Sequence, residues 1–379
     1  MTFPPPAAPP VTLTLTPAQV PALAAGATLL GSGGGGEAIT GSLLLRLALA
    51  ERPLAVTPAS ALPPETLVVH VGLAGAPDVI AERLIDPDDF ARAVHRVAAA
   101  VGGDAGAVGV IEVGGLNAVV AATAAARLGL PLVDGDLMGR AFPRIDQTVA
   151  TLHGLPLPPL ALVGPGGDTV VIPVCSARLF EPLLRANVLA LGAAAAFAGY
   201  ATSARHLAGI GVPGSVSSCL RLGRRFRSAV EAPGATAGEL AAALDADLLA
   251  VGRVDEIVPR QDLSPGWATL TDRRTGAVVR IDLLDEYLAV AVDGVTRAET
   301  PEIIAAVDLS GGRAVRADQI RPGDHLVLLR LPALYDWPAE AASLVGPSAF
   351  GLDLRPGPRN TTPFGRGAPR PGPPGGGVR

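Results

Sequence analysis

The sequence contains no lysine; all 30 of its basic residues are arginine. That excludes Schiff-base chemistry, a pyridoxal-phosphate anchor and a P-loop lysine. Cysteine is almost as scarce. Cys175 and Cys219 are too few for a disulfide scaffold or a four-cysteine zinc site. Five histidines are scattered with no H-x-x-x-H, H-E-x-x-H or H-x-H spacing, so no dedicated zinc-hydrolase motif is present. No G-x-S-x-G elbow surrounds Ser215, Ser217 or Ser218. The first charge is Glu37, so no basic n-region of a signal peptide precedes it. With so few cysteines, the expected location is the cytoplasm. A net charge of −5 and a pI near 5.6 argue against a nucleic-acid partner.

What is present is a chain of 379 residues, long enough for two domains and a core that needs no staple. Residues 1–12 are proline-rich and read as disordered, as does the Pro/Gly/Arg tail 355–379. Residues 13–172 alternate strand and helix signals. Residues 173–247 read as mainly helical. The uncharged run 186–204 is long enough to test as a membrane span, but its alanines and glycines fit a packed helix better. From 248 to 354 the apolar period falls to two, with strands expected at 248–258, 267–272, 277–283, 286–292, 303–308 and 325–331. The fold class is therefore α/β: an N-terminal parallel-sheet domain followed by a C-terminal β-rich domain, a small barrel or sandwich.

Within the first domain, Leu67–Val71 has the length of a buried strand, and Asp88 or Asp89 is placed to cap a following helix. Gly106–Glu112 forms the next strand, Leu116–Leu128 a helix closed by Gly129, and Leu130–Asp134 a further strand. Such a βαβ unit gives parallel strands with a right-handed crossover. Ligands of open parallel sheets bind beyond the carboxyl ends of the strands. Glu112 ends one strand, Asp134 ends the next and Asp136 follows, so these acids are the candidate catalytic groups. They can perturb one another's pKa or hold a divalent cation, with His153 beside Asp134 and Asp136 as a nitrogen ligand. The opposing reading is that these acids only cap helices and turns.

Gly114 and Gly115 would admit a ligand to the next helix N-terminus, where developing negative charge would be stabilised and Asn117 adds a polar side chain. Arg140 would clamp an anionic or carbonyl group, or pair with Asp134 and Asp136. Met138 and Phe142 would form pocket wall. The run Gly31–Gly36 satisfies G-x-G-x-x-G, but a helix-like segment precedes it, which makes NAD(P) an unlikely ligand. Gly34, Gly35, Gly36 and Glu37 instead read as backbone that approaches a substrate. His70 reads as a core histidine and Cys219 as a buried small residue.

These motifs occur in a recognisable order. Gly33-Gly-Gly-Gly-Glu37, Gly75-Ala-Pro77, Glu112-Val-Gly-Gly-Leu-Asn117, Leu128-Gly-Leu-Pro-Leu-Val-Asp-Gly-Asp136, Met138-Gly-Arg-Ala-Phe-Pro143, Pro213-Gly-Ser215 and Gly346-Pro-Ser-Ala-Phe-Gly351 resemble the DUF917 family from about residue 17 to 354. That family is similar to S-methyl thiohydantoin desulfurases and is associated with hydantoinase/oxoprolinase-type proteins. The resemblance implies an N-terminal α/β and a C-terminal β-rich domain. It also implies a hydrolase that removes a methylthio group from a thiohydantoin-like ring, giving a hydantoin and methanethiol. The alternative is a non-catalytic partner subunit of a hydantoinase-type enzyme or a metabolite-binding protein, and a homo-oligomer is compatible with either. The sequence departs from the family pattern at Glu37, where Asp is common, at Asp78, where Thr is common, and at Arg144, where Glu usually follows Phe-Pro.

Overall fold

A computed structural model describes residues 12–75, 77–82, 86–261 and 264–354. The two terminal segments expected to be disordered lie outside these residues, apart from Thr12, as does Ala76 of the Gly75–Pro77 motif. The first part of the chain runs β1 (Leu13–Leu15), α1 (Val20–Leu30), α2 (Ala38–Glu51), β2 (Leu54–Thr57), β3 (Leu67–Gly75), α3 (Pro77–Glu82), α4 (Pro87–Ala100), β4 (Ala107–Val110), α5 (Leu116–Leu128), β5 (Leu132–Val133), β6 (Gly135–Asp136), α6 (Val149–Leu152), β7 (Leu160–Val163) and β8 (Thr169–Ile172). The middle runs α7 (Ala177–Ala190), β9 (Ala194–Ser203), α8 (Ala204–Ile210), β10 (Val212–Pro213), α9 (Ser215–Val230) and α10 (Ala237–Ala243). The last part is β11 (Asp247–Val258), β12 (Gly266–Asp272), β13 (Val278–Leu283), β14 (Tyr287–Val292), β15 (Val295–Glu299), β16 (Ile303–Asp308), β17 (Arg313–Val315), β18 (His325–Leu331) and α11 (Ala342–Val345).

The N-terminal sheet has eight strands in the order β1-β2-β5-β4-β3-β9-β7-β8. The expected parallel strands are present as β3, β4 and β5; β2, which was not expected, joins them in parallel beside β5, β1 pairs antiparallel with β2, and β9, β7 and β8 extend the other edge antiparallel. Both faces are buried, and the period of two sorts its side chains. Val69, Val71, Val108, Val110, Ala196 and Ala198 join the core with α1, α4 and α5. Their neighbours Val68, Ala107, Leu160, Leu162, Ala195 and Phe197 pack on the other face with Phe180, Leu184 and Val188 of α7.

The run 186–204 is not the expected helix. Helix α7 ends at Ala190, a turn with positive φ at Gly192 and Ala193 follows, and residues 194–203 form β9 in the interior of the sheet. An alanine-rich run buried on both sides has no period that tells a strand from a helix. No described helix is long and apolar enough to cross a membrane.

Local chemistry accounts for the helices that flank the site. Helix α4 starts at Asp86, not Asp88 or Asp89: Asp86 Oδ1 accepts the Asp88 N–H at 2.9 Å and Pro87 takes the first helical position. Helix α5 ends, as expected, at a left-handed Gly129.

The C-terminal sheet is wholly antiparallel, in the order β15-β14-β13-β12-β11-β18-β16-β17. It is not a closed barrel, because β15 and β17 remain edges. The sheet curls instead, so that Ile304, Ala306, Leu326 and Leu328 meet Ile281 and Val290 in one core. The alternate residues Ile303, Ala305, Val327 and Leu329 face the N-terminal core. The glycine run is the seam between the two sheets. The Tyr287 N–H donates to Ser32 O at 2.6 Å, the Ala317 N–H to Gly33 O at 2.9 Å, and the Ser32 hydroxyl to Ile304 O at 2.8 Å.

Candidate active site

A cavity of about 490 Å³ opens where β3 and β4 end and α5 begins. Its walls are largely apolar and include Leu73, Ile111, Met138, Phe142, Leu184 and Leu284. Glu112 and Asn117 line it from the N-terminal sheet, Glu181 and Arg185 from α7, and Arg260, Asp285 and Glu286 from the C-terminal domain. The Arg185–Glu181 and Arg260–Asp285 pairs, at 2.6 and 3.2 Å, carry its exposed arginines.

Asn117 fixes Glu112. Its Oδ1 accepts the Leu73 N–H at 2.7 Å, which leaves Nδ2 to donate to Glu112 Oε1 in a short hydrogen bond. Burial pushes the Glu112 carboxyl up to about 8, against the Asn117 and Phe142 donors that favour its charge; Asp136 raises it further and Arg140 opposes. Glu286 sits in the turn between β13 and β14 and is 3% exposed. Its carboxyl is raised well above the usual range by burial, then by the charges of Asp285 and Glu112, with Arg140 and Arg260 opposing. Glu181 is also raised by burial. A neutral carboxyl at pH 7 can donate a proton or a hydrogen bond.

Of the residues expected to form the site, Glu112, Asn117, Gly35, Gly36, Met138 and Phe142 line the cavity. The others do different work. Asp134 turns away from it: Oδ1 accepts the Ser217 N–H at 2.9 Å and the main-chain carbonyl accepts the Gly214 N–H. It caps α9, whose own N-cap, Gly214, has no side chain. Asp136 is buried, and its Oδ2 accepts the N–H groups of Val113, Met138 and Gly139, tying the loop after β4 to the stretch that carries Met138. Burial raises its pKa to about 6 against those donors. The Ser215 hydroxyl stands near enough to favour its charge, but neither Asp136 Oδ1 nor Ser215 Oγ makes a well-formed hydrogen bond. His153 lies exposed at the end of α6, and no group of three or more His, Cys, Asp or Glu able to hold a metal occurs among the described residues. The expected set of Asp134, Asp136 and His153 does not assemble.

Arg140 is not a substrate clamp. It is 1% exposed and donates to the carbonyls of Ala141, Glu302 and Tyr287 at 2.9, 2.6 and 3.1 Å, with its guanidinium over the Phe142 ring. Burial lowers its pKa to about 10, which leaves it charged at neutral pH. It supplies one fixed positive charge to Glu112 and Glu286.

The helix N-terminus is occupied as well. The Gly115 N–H donates to Ala27 O and the Leu116 N–H to Gly35 O, each at 2.7 Å, so neither is free to stabilise an oxyanion. Gly115 is required for that approach, because a Cβ on it would lie 2.2 Å from Gly35 O. Gly114 packs against Gly31 and Ala141, and Glu37 pairs with Arg316 at 3.4 Å. His70 and Cys219 are core, as expected: His70 Nδ1 meets Tyr200 O at 2.8 Å, and the Cys219 thiol, pushed up by burial, meets Leu23 O at 3.3 Å.

Sequence reasoning missed Glu286, Asp285, Arg260, Glu181 and Arg185. The acids at 285–286 stand in a hairpin turn, where exposed acids are ordinary, yet Glu286 is buried beside Gly34 of the N-terminal domain.

The fold and its cavity define a two-domain α/β and antiparallel-β protein with a buried-carboxyl pocket of small-molecule size. The chain belongs to the S-Me-THD-like family, the S-methyl thiohydantoin desulfurase-like group also called DUF917: the family's N-terminal domain matches residues 18–174 and its C-terminal domain residues 176–358. At family level this supports a desulfurase-like function. The structure is similar to a crystal structure of a protein from Chromobacterium violaceum, with 25% sequence identity and a TM-score of 0.68 over 87% of this chain and 93% of that one. No curated protein is similar enough to count as a relative. The two family halves interlock, since β9 of the second completes the sheet of the first.

Proposed function

We infer that the cavity hydrolyses the C–S bond of a small S-methylated thiohydantoin-like ring, releasing methanethiol and a hydantoin. The observation that carries this reading is Glu112: a buried carboxyl, oriented by Asn117, facing a largely apolar cavity at the C-terminal edge of parallel strands. Membership of a desulfurase-like family supports this reading. In this reading the ring rests against Phe142 and Met138. A water attacks the ring carbon that bears sulfur, and Glu112, in the ionised form that rising pH toward 8 populates, takes a proton from it. The apolar walls keep other water away and strengthen the electrostatics of the attack. Asp134, Asp136 and Arg140 act only through positioning and field.

The test is methanethiol release from a 2-methylthio hydantoin analogue, read with a thiol reagent. Glu112→Gln, with an unchanged circular dichroism spectrum, should lose about 10²-fold or more in kcat, the usual worth of a positioned base. Unchanged turnover would remove Glu112 from the chemistry. Binding of the hydantoin with no turnover in the native protein would favour a metabolite-binding role.

A further inference from the structure

Glu286 has no role in the reaction as written, and nothing in the fold explains it. Its turn is already closed by the Leu284 N–H donating to Glu286 O at 2.9 Å. Its side chain is buried at the cavity, and Oε2 has no hydrogen-bond partner among the described residues. An unsatisfied buried polar atom costs about 1–3 kcal/mol, so a purely structural position would favour an apolar residue. The glycine run, moreover, makes room for this carboxyl. A Cβ on Gly34 would lie 2.2 Å from Glu286 Oε1 and 2.6 Å from its Cγ. The charged groups that act on Glu286 are Glu112, Asp285, Arg140 and Arg260.

We propose that Glu286 is a second catalytic residue, the general acid that protonates the departing sulfur, in the hydrolysis inferred above and resting on it. Hydrogen-bond donors divide the roles. Glu112 receives the Asn117 amide and the Phe142 N–H, which suit a carboxylate, whereas Glu286 Oε2 receives nothing and suits a carboxylic acid. Arg140, the buried cation behind them, offsets one negative charge. As pH rises toward 8 and the pair loses its first proton, the charge therefore comes to rest on Glu112 and the proton stays on Glu286.

As the water oxygen bonds to the ring carbon, the C=N π pair moves onto the ring nitrogen and one water proton passes to Glu112. The C–S bond then breaks, its electron pair stays with sulfur, and Glu286 gives its proton to that sulfur. The remaining hydroxyl proton moves to the ring nitrogen as the carbonyl forms. Transfer of the Glu112 proton to Glu286 restores the starting state. An alkyl thiolate is basic enough that this protonation matters.

The experiment compares two leaving groups. On a 2-methylthio substrate, Glu286→Gln should lose about 10²-fold or more in kcat. On a 2-(4-nitrophenylthio) analogue, whose thiolate leaves without a proton, it should lose less than about fivefold, whereas Glu112→Gln should lose on both. Gly34→Ala, which displaces Glu286, should follow the Glu286→Gln pattern. Infrared difference spectra near pH 9, where Glu112 has ionised, should show a protonated-carboxyl band that Glu286→Gln abolishes. Equal losses on both substrates, no loss on the methylthio substrate, or a band unchanged by Glu286→Gln overturns the proposal. If the native protein releases thiol from neither substrate, the hydrolysis reading and the acid's role in it both fall, while the band alone still reports whether Glu286 holds a proton.

Discussion

Replacing Glu112 by glutamine should flatten the dependence of stability on pH. Glu112 is buried, and its carboxyl moves from 4.5 to about 8 on folding. A pKa raised by folding means that the native state holds the proton more tightly than the unfolded chain. The associated stability is fully present below pH 4.5 and is lost as pH rises toward 8. At about 1.4 kcal/mol per unit, the shift is worth about 5 kcal/mol across that window. Glutamine has nearly the same shape and no proton to lose. Near pH 4.5 the two proteins should have similar urea midpoints. By pH 8 the variant should be the more stable by several kcal/mol. Removing Glu112 also removes a charge that raises Glu286, which flattens the variant's curve further. The assay is urea unfolding at half-unit steps from pH 4.5 to 8.5, read by far-UV circular dichroism. Parallel curves for the two proteins would show that Glu112 is not held neutral by burial, and the account of the cavity's electrostatics would fail.

Asn117→Leu should move the alkaline rise of the rate profile above pH 8, because the lost Nδ2 donor favoured the Glu112 charge. It should also destabilise the fold by about 1–3 kcal/mol through the orphaned Leu73 N–H. An unmoved midpoint in the pH–rate profile would contradict the positioning role. Asp134→Ala should lower stability by about 1 kcal/mol in thermal or urea unfolding, through loss of the α9 cap, and leave kcat within about twofold of native. A large loss of turnover would return Asp134 to the reaction.

Much of the fold was legible because its signals are local. The helix over 116–128 is bracketed by Gly115 and Gly129. All six expected C-terminal strands appear within a residue or so at either end, because their alternation is clean and turns separate them. Missing were short or ambiguous elements, among them β1 and β2, β15 and β17, the β7–β8 hairpin, and β9 with its run of alanines. Ladder partners, not local propensity, define those strands. In the candidate site, Glu112 and Asn117 were legible from the strand–glycine–helix pattern. Asp134 and Asp136 follow the same rule but are drawn elsewhere by unpaired N–H groups, those of Ser217 for Asp134 and of Val113, Met138 and Gly139 for Asp136. Where a carboxylate faces several main-chain donors, they outcompete a cavity for it.

The glycine run and Arg140 explain why the site spans both halves of the chain. Glu112 and Asn117 lie in the N-terminal family domain, whereas Glu286 and the α7 wall lie in the C-terminal one. Arg140 comes from the first half, yet two of its three acceptors, Glu302 O and Tyr287 O, belong to the second. Ser32 and Gly33 hydrogen-bond to the same region, which sets Tyr287, and with it the adjacent Glu286, against Gly34. A buried guanidinium requires its acceptors held at hydrogen-bond distance. The bonds that satisfy Arg140 are therefore also the bonds that bring the two carboxyls to one cavity.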